Sequence, residues 1–221
     1  MPINMTIPVG TGAVAGTGIT TYSGLVTSAG DWLGRADLVA QIPLFIQLVE
    51  ERLSRILRVP EMEEEATLST TGERIDLPTD FRQARALYLN TDPRQELEAV
   101  SLGTLRTKYA CQTTGKPEVY AISGGEIVFG PAPDDTYDAL LTYYQEIPPL
   151  SAEAETNWLV VSHYSIYLYG ALVMAEAYIW DDERLPLWKS AWDEALDELM
   201  EQGKRMHYGA APLRLRASVR E

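Results

Sequence analysis

Apolar side chains recur at helical spacing toward both ends of the chain and at alternate positions between them. A short amphipathic helix is expected from Tyr22 to Leu33, with Tyr22, Leu25, Val26 and Leu33 on one side. The next helix can be capped by Asp37 and takes Pro43 in an early turn or at a kink. It buries Phe45, Leu48, Val49, Leu53, Ile56 and Leu57 until Pro60 stops it. Its wet side carries Glu50, Glu51, Ser54, Arg55 and Arg58, with Glu51 and Arg55 at pairing distance along the helix. From Glu61 to Leu150 the period shortens toward two. Strands are expected at Arg74–Pro78, Ala86–Leu89, Val119–Ile122, Glu126–Phe129 and Tyr137–Tyr144, with Ser123-Gly124-Gly125 as a hairpin turn. A short helix fits within Leu97 to Tyr109. Helical spacing returns over Trp158–Trp180, and again at Leu187, Trp188, Trp192, Leu196 and Leu199 behind a start signal of Asp182 or Glu183 with Pro186.

The pattern implies an α+β fold: an antiparallel bundle of about four helices, with a β-rich insertion between the second and third long helices and extended arms at both ends. The expected parts are a Gly/Thr-rich arm (1–20), a helical domain (21–60 with 151–203), a β-rich insertion (61–150) and a basic tail (204–221), which leaves the bundle at Gly203. A chain of 221 residues buries about 70% of its unfolded surface, so no staple is needed. Cys111 is alone, and His163 and His207 stand far apart, so neither a disulfide within the chain nor a multi-cysteine zinc site is available. Trp158 to Trp180 is long enough to cross a bilayer, yet Glu176, four tyrosines and the acidic run Asp181-Asp182-Glu183 favour a buried helix. The N-terminus lacks the basic and apolar regions of a signal peptide, so a product of the cytoplasm is expected.

Charge changes the picture more than composition does. The formal net charge is −14. Residues 1–30 carry no charged side chain; residues 31–203 carry 13 Lys and Arg against 31 Asp and Glu; residues 204–221 carry 5 against 1, or +4. An acidic body of this kind does not grip nucleic acid through its phosphates. A basic tail on it suits docking to another surface.

Candidate chemistry is sparse. Gly10-Thr11-Gly12-Ala13-Val14-Ala15-Gly16 resembles a dinucleotide loop but lacks the flanking strand and helix, and Lys116 lacks the following Ser or Thr of a phosphate loop. Asp134-Asp135 and Asp181-Asp182-Glu183 read as turn and helix-start punctuation. His163 has no acid or nucleophile at a triad-like spacing, and the tryptophans and tyrosines of the later helices read as core. No catalytic residue, metal site or cofactor is expected. Two other classes stay open: a β-rich receptor- or carbohydrate-binding tail component, and an enzyme using a carboxylate pair such as Glu146 with Asp135.

The run Tyr22, Asp31-Trp32-Leu33-Gly34-Arg35-Ala36-Asp37-Leu38, Ile42-Pro43-Leu44-Phe45-Ile46, Glu50-Glu51-Arg52-Leu53 and Leu57-Arg58 resembles the opening of tailed-bacteriophage head-to-tail adaptor (connector) proteins. Gly115-Lys116-Pro117-Glu118-Val119-Tyr120, Pro131-Ala132-Pro133, Tyr143-Tyr144 and Pro148-Pro149-Leu150 continue the likeness. So do Asn157-Trp158-Leu159, Tyr167 to Leu172, Asp181 to Arg184 and Trp188, and the whole covers about residues 21–203. The resemblance, to podovirus adaptors of the tail tubular protein A kind, implies a structural protein of the virion neck. Such a protein forms a ring of 12 copies below the portal, continues the DNA channel without binding DNA tightly, and offers a platform to a tail, nozzle or stopper protein. It also implies that the tail enters the portal, which makes Lys204, Arg205, Leu213, Arg214, Leu215, Arg216 and Arg220 the docking residues.

Overall fold

A computed structural model describes residues 19–109, 114–178 and 183–208. The chain is mixed α+β and divides into two compact units, Met1–Val49 with Pro149–Trp192, and Glu50–Pro148 with Asp193–Glu221. Its helices are α1 (Tyr22–Leu33), α2 (Ile42–Ile56), α3 (Leu102–Lys108), α4 (Trp158–Met174) and α5 (Leu185–Tyr208). Its strands are β1 (Glu63–Thr70), β2 (Arg74–Asp76), β3 (Phe81–Leu89), β4 (Gln95–Glu96), β5 (Glu98–Ala99), β6 (Val119–Ser123), β7 (Glu126–Gly130) and β8 (Tyr137–Gln145).

In the first unit, α1 starts where Thr21 accepts a hydrogen bond from the Gly24 amide and ends at Gly34 in the left-handed region. It buries Leu25, Ala29 and Leu33. Asp37 does not cap α2. It lies in a 3₁₀ segment, Ala36–Gln41, and pairs with Arg35 at 2.6 Å, so that α2 follows directly on the 3₁₀ turns and carries Pro43 in its first turn as expected. Within α4, Asn157 caps the start by accepting from the Val160 amide and donates its own amide to the Tyr167 hydroxyl at 2.8 Å. The helix is kinked at His163 (φ −139°, ψ 46°) and is buried over most of its circumference beyond that point. At the other end of the unit Arg184 donates to the Trp32 carbonyl and stacks over Trp188, while Trp32 meets Tyr169 edge-on. Among the described residues no helix is long and apolar enough to cross a membrane.

The second unit holds two four-stranded sheets, β1-β8-β3-β4 and β2-β7-β6-β5. Alternation sets their faces. Leu87 and Leu89 of β3 and Ala139, Leu141 and Tyr143 of β8 meet Tyr120, Ile127 and Phe129 of the other sheet in one core. The other face of β6 and β7 presents Val119, Ala121 and Val128 to Leu105 of α3, which explains why these strands read as continuous apolar runs. The turn between β6 and β7 has Gly124 at φ 65° and Gly125 at φ 86°, the two positive angles that a two-residue hairpin turn of matching twist requires.

Three expectations are corrected here. Glu50 and Ser54, assigned to the wet side of α2, are buried, whereas Leu48 and Ile56, assigned to the dry side, are exposed. The packed arc of α2 is rotated relative to its apolar stripe. Strand β1 was not expected, because three glutamates open it and glutamate is a poor strand former. Helix α5 does not end at Gly203: a Cβ there would lie 3.1 Å from atoms of both Val59 and Pro60, so the glycine serves close packing and the helix runs on to Tyr208.

Tyr143 supplies a pH probe of the sandwich. Burial, with the hydrogen bond its hydroxyl donates to Asp80 at 3.0 Å, pushes its pKa up to about 12. Its folded value lies above the ordinary value near 10, so the unfolded chain loses that proton first. Stability is intact below pH 10 and is expected to fall by about 1–3 kcal/mol between pH 10 and pH 12. Denaturant titrations across that interval should show a smaller loss in Tyr143→Phe than in the natural protein, the remainder coming from Tyr120, Tyr137 and Tyr144, whose pKa values are also raised.

Candidate docking surfaces

The described residues offer no catalytic constellation. Asp134 accepts from the Tyr137 hydroxyl at 2.7 Å, Asp135 accepts from the Thr136 amide, and Glu146 is ion-paired with Arg82, so the carboxylates considered as an acid/base pair are each engaged locally. No group of three His, Cys, Asp or Glu residues among those described could hold a metal ion. A groove of about 410 Å³ in the second unit is lined by Phe81, Arg82, Val100, Tyr120 and Ile122 among others, and its one charged group is the Arg82 already paired with Glu146. Trp188, Trp192 and Tyr167 are buried, as their helical spacing indicated, and so form no sugar platform. Asp181, Asp182, Trp180, Cys111 and the glycine-rich loop of residues 10–16 lie outside the described residues.

What the structure does present is apolar surface. Among the described residues eleven large hydrophobic side chains are exposed, and all but Ile56, Ile122 and Met206 belong to the first unit. Leu44 and Leu48 stand one turn apart on α2; Val161 and Tyr164 share the first turns of α4; Leu187, 68% exposed, opens α5. Single exposed leucines are ordinary. Eight of the eleven lie on the helical elements of the first unit. The sequence patterns that identified helices could not separate these side chains from core ones, because each sits within an apolar stripe.

Of the expected docking residues, Lys204 and Arg205 lie in the last turns of α5, and both are exposed. Cations there complement the negative end of the helix dipole. Lys204 also pairs with Glu201 at 2.9 Å, a hydrogen bond that raises the lysine pKa and lowers that of the glutamate. Both groups are solvated, so the pair sets local geometry and adds little to stability. These two residues therefore belong to the helix and not to an extended tail. Leu213, Arg214, Leu215, Arg216 and Arg220 lie outside the described residues.

A family described as SU10 adaptor protein matches residues 20–216, from the residue before the α1 cap through the arginine pair of the tail. No curated protein matches the chain. The matched span is nearly the whole sequence and holds every described element, in agreement with the resemblance carried by the Asp31–Leu38, Gly115–Tyr120 and Asn157–Leu172 blocks. The chain belongs to the SU10 adaptor protein family, a family of phage head-to-tail adaptors.

Proposed function

We propose that this phage adaptor works as a ring below the portal of a tailed phage, most simply of 12 copies, which extends the DNA channel and gives a tail, nozzle or stopper protein its platform. The observation that carries the reading is the family match over residues 20–216. Its physical support is the exposed apolar set of the first unit. A closed ring is built from head-to-tail contacts, in which each copy presents two different faces, and Leu44 with Leu48 on α2 and Val161 with Tyr164 on α4 supply apolar side chains from two separate helices. The proposed organisation is a helical part for ring contacts (21–60 and 151–203, with α5 running on to Tyr208) and a β-rich part (61–150) for the platform, with the basic tail beyond Tyr208 directed to the portal. The working place of such a protein is the neck of the virion.

A channel wall has to let DNA slide. The body from residue 31 to 203 carries −18, from 13 basic against 31 acidic residues, and so repels phosphates at physiological salt. The protein is expected to bind duplex DNA no tighter than the ordinary non-specific range, a Kd of about 10⁻⁴ M or weaker. A fluorescence titration giving nanomolar affinity that collapses with added salt would overturn the sliding-channel reading. Imaging of purified phage necks tests the ring directly: twelvefold density containing this chain supports it, and a single copy at the neck rejects it.

A further inference from the structure

Helix α4 bends without a local cause. Sharp kinks sit at Pro, at paired Gly or Ser, or where a side chain enters the backbone ladder. Trp158 to Tyr169 holds no Pro, no Gly and no adjacent serines, yet His163 leaves the helical region with ψ at 46°. What the bend does permit is the bond that Asn157 donates to the Tyr167 hydroxyl at 2.8 Å between buried side chains. Ten residues of unbroken helix separate such positions by about 15 Å along the axis, more than an asparagine, a tyrosine and a hydrogen bond between them can span. A straight α4 and the Asn157–Tyr167 bond therefore exclude each other.

The bent form has a defect of its own. In the turn ahead of the bend the indole N–H of Trp158 is buried with no acceptor among the described residues, and a buried donor left unpaired destabilises the form that holds it. The bend also falls on the helical bonds donated by Tyr164, Ser165 and Ile166, whose loops contain both torsions of His163. Val161, 52% exposed, precedes the joint and Tyr164, 40% exposed, follows it. In a continuous helix these two stand as neighbours on one face; the bend sets them at another angle.

We infer that the Asn157–Tyr167 bond is a latch on a two-state helix. Closed, it holds α4 bent at His163; open, it lets residues 158–163 continue the helix and brings Val161 onto the face of Tyr164. Its use in shaping a ring contact rests on the ring reading, whereas the latch is tested on the protein alone. Tyr167→Phe removes the hydroxyl and keeps the ring. Asn157→Ser keeps an oxygen to cap the Val160 amide but is too short to reach Tyr167. Residue-resolved hydrogen exchange is expected to show the amides of Tyr164 and Ser165 slowed at least tenfold in either variant, with no further slowing in the double variant. A hydrogen bond that only adds stability gives the opposite sign, so unchanged or faster exchange at these amides overturns the latch. In a Cys111→Ser background, spin labels on Thr156→Cys and Glu176→Cys, both exposed sites, should move apart in Tyr167→Phe and in Asn157→Ser toward about 30 Å, the length of twenty helical residues. The same distance distribution with the latch intact and in both variants overturns it as well. Neither measurement involves a ring, so failure of the ring reading leaves both results as they are.

Discussion

Truncating Trp192 to alanine is expected to lower stability by about 3–5 kcal/mol, the largest single-residue effect in the first unit. The indole is 1% exposed, and its removal leaves a cavity that helices held at close range cannot collapse into. Their spacing is set by Gly170. A Cβ at that position would lie 2.9 Å from Val49 Cγ2 and 3.0 Å from Trp192 Nε1, so α4 passes α2 and α5 with no room for a methyl group. Gly170→Ala is therefore expected to cost about 1–3 kcal/mol by overpacking, although alanine is the better helix former. The two kinds of damage can be told apart by a cycle with Val49→Ala. Val49→Ala alone opens a cavity, but combined with Gly170→Ala it makes space for the added methyl. The double variant should then be more stable than the sum of the singles by about 1 kcal/mol or more. Urea midpoints at constant slope measure all four proteins, and strict additivity would show that the two residues do not share the contact.

The elements that were legible in the sequence are those whose side chains face one environment. Helix α1 was readable end to end because Tyr22, Leu25, Val26 and Leu33 recur on one side, and Leu25 and Leu33 are buried there. The β6–β7 hairpin was readable because paired glycines admit few alternatives to a turn with two positive φ angles. Reading failed where tertiary contacts outweighed local preference. Strand β1 begins with three glutamates, and its strand character comes from register with β8, which places Ala66 and Leu68 inward. Gly203 looked like a helix stop, yet its missing side chain is what lets α5 approach Val59 and Pro60. On α2 the buried Glu50 and Ser54 and the exposed Leu48 lie against the apolar stripe, because a helix that meets partners on one side and a proposed subunit contact on the other has two reasons to carry leucine. The exposed apolar side chains were not legible for the same cause: nothing in the spacing of Leu44, Leu48 or Val161 distinguishes an exposed side chain from a core one.

Removing the tail is expected to abolish portal docking and spare the fold. The cut belongs after Tyr208, since α5 extends to that residue, Gly203 packs on Val59 and Pro60, and Lys204 is paired within the helix. A chain ending there keeps the described fold and loses Arg214, Arg216 and Arg220, and with them Leu213 and Leu215. If leucines fill an apolar groove while arginines meet acidic groups, the two contributions separate by their response to salt. Charge reversal of Arg214 and Arg216 together should weaken docking roughly tenfold to a hundredfold, or about 1.4–2.8 kcal/mol, and flatten its dependence on ionic strength. Leu213→Asp should weaken it by a comparable factor while leaving the salt slope of the remaining arginines nearly unchanged. Lys204→Ala, in contrast, breaks only a solvated pair with Glu201 and should change docking by less than about threefold, about 0.6 kcal/mol. Pull-down on purified portal rings, with helical circular dichroism recorded on each variant, measures all of these. Full-strength capture of the chain ending at Tyr208 would move the docking site off the tail and onto the exposed apolar surface of the first unit.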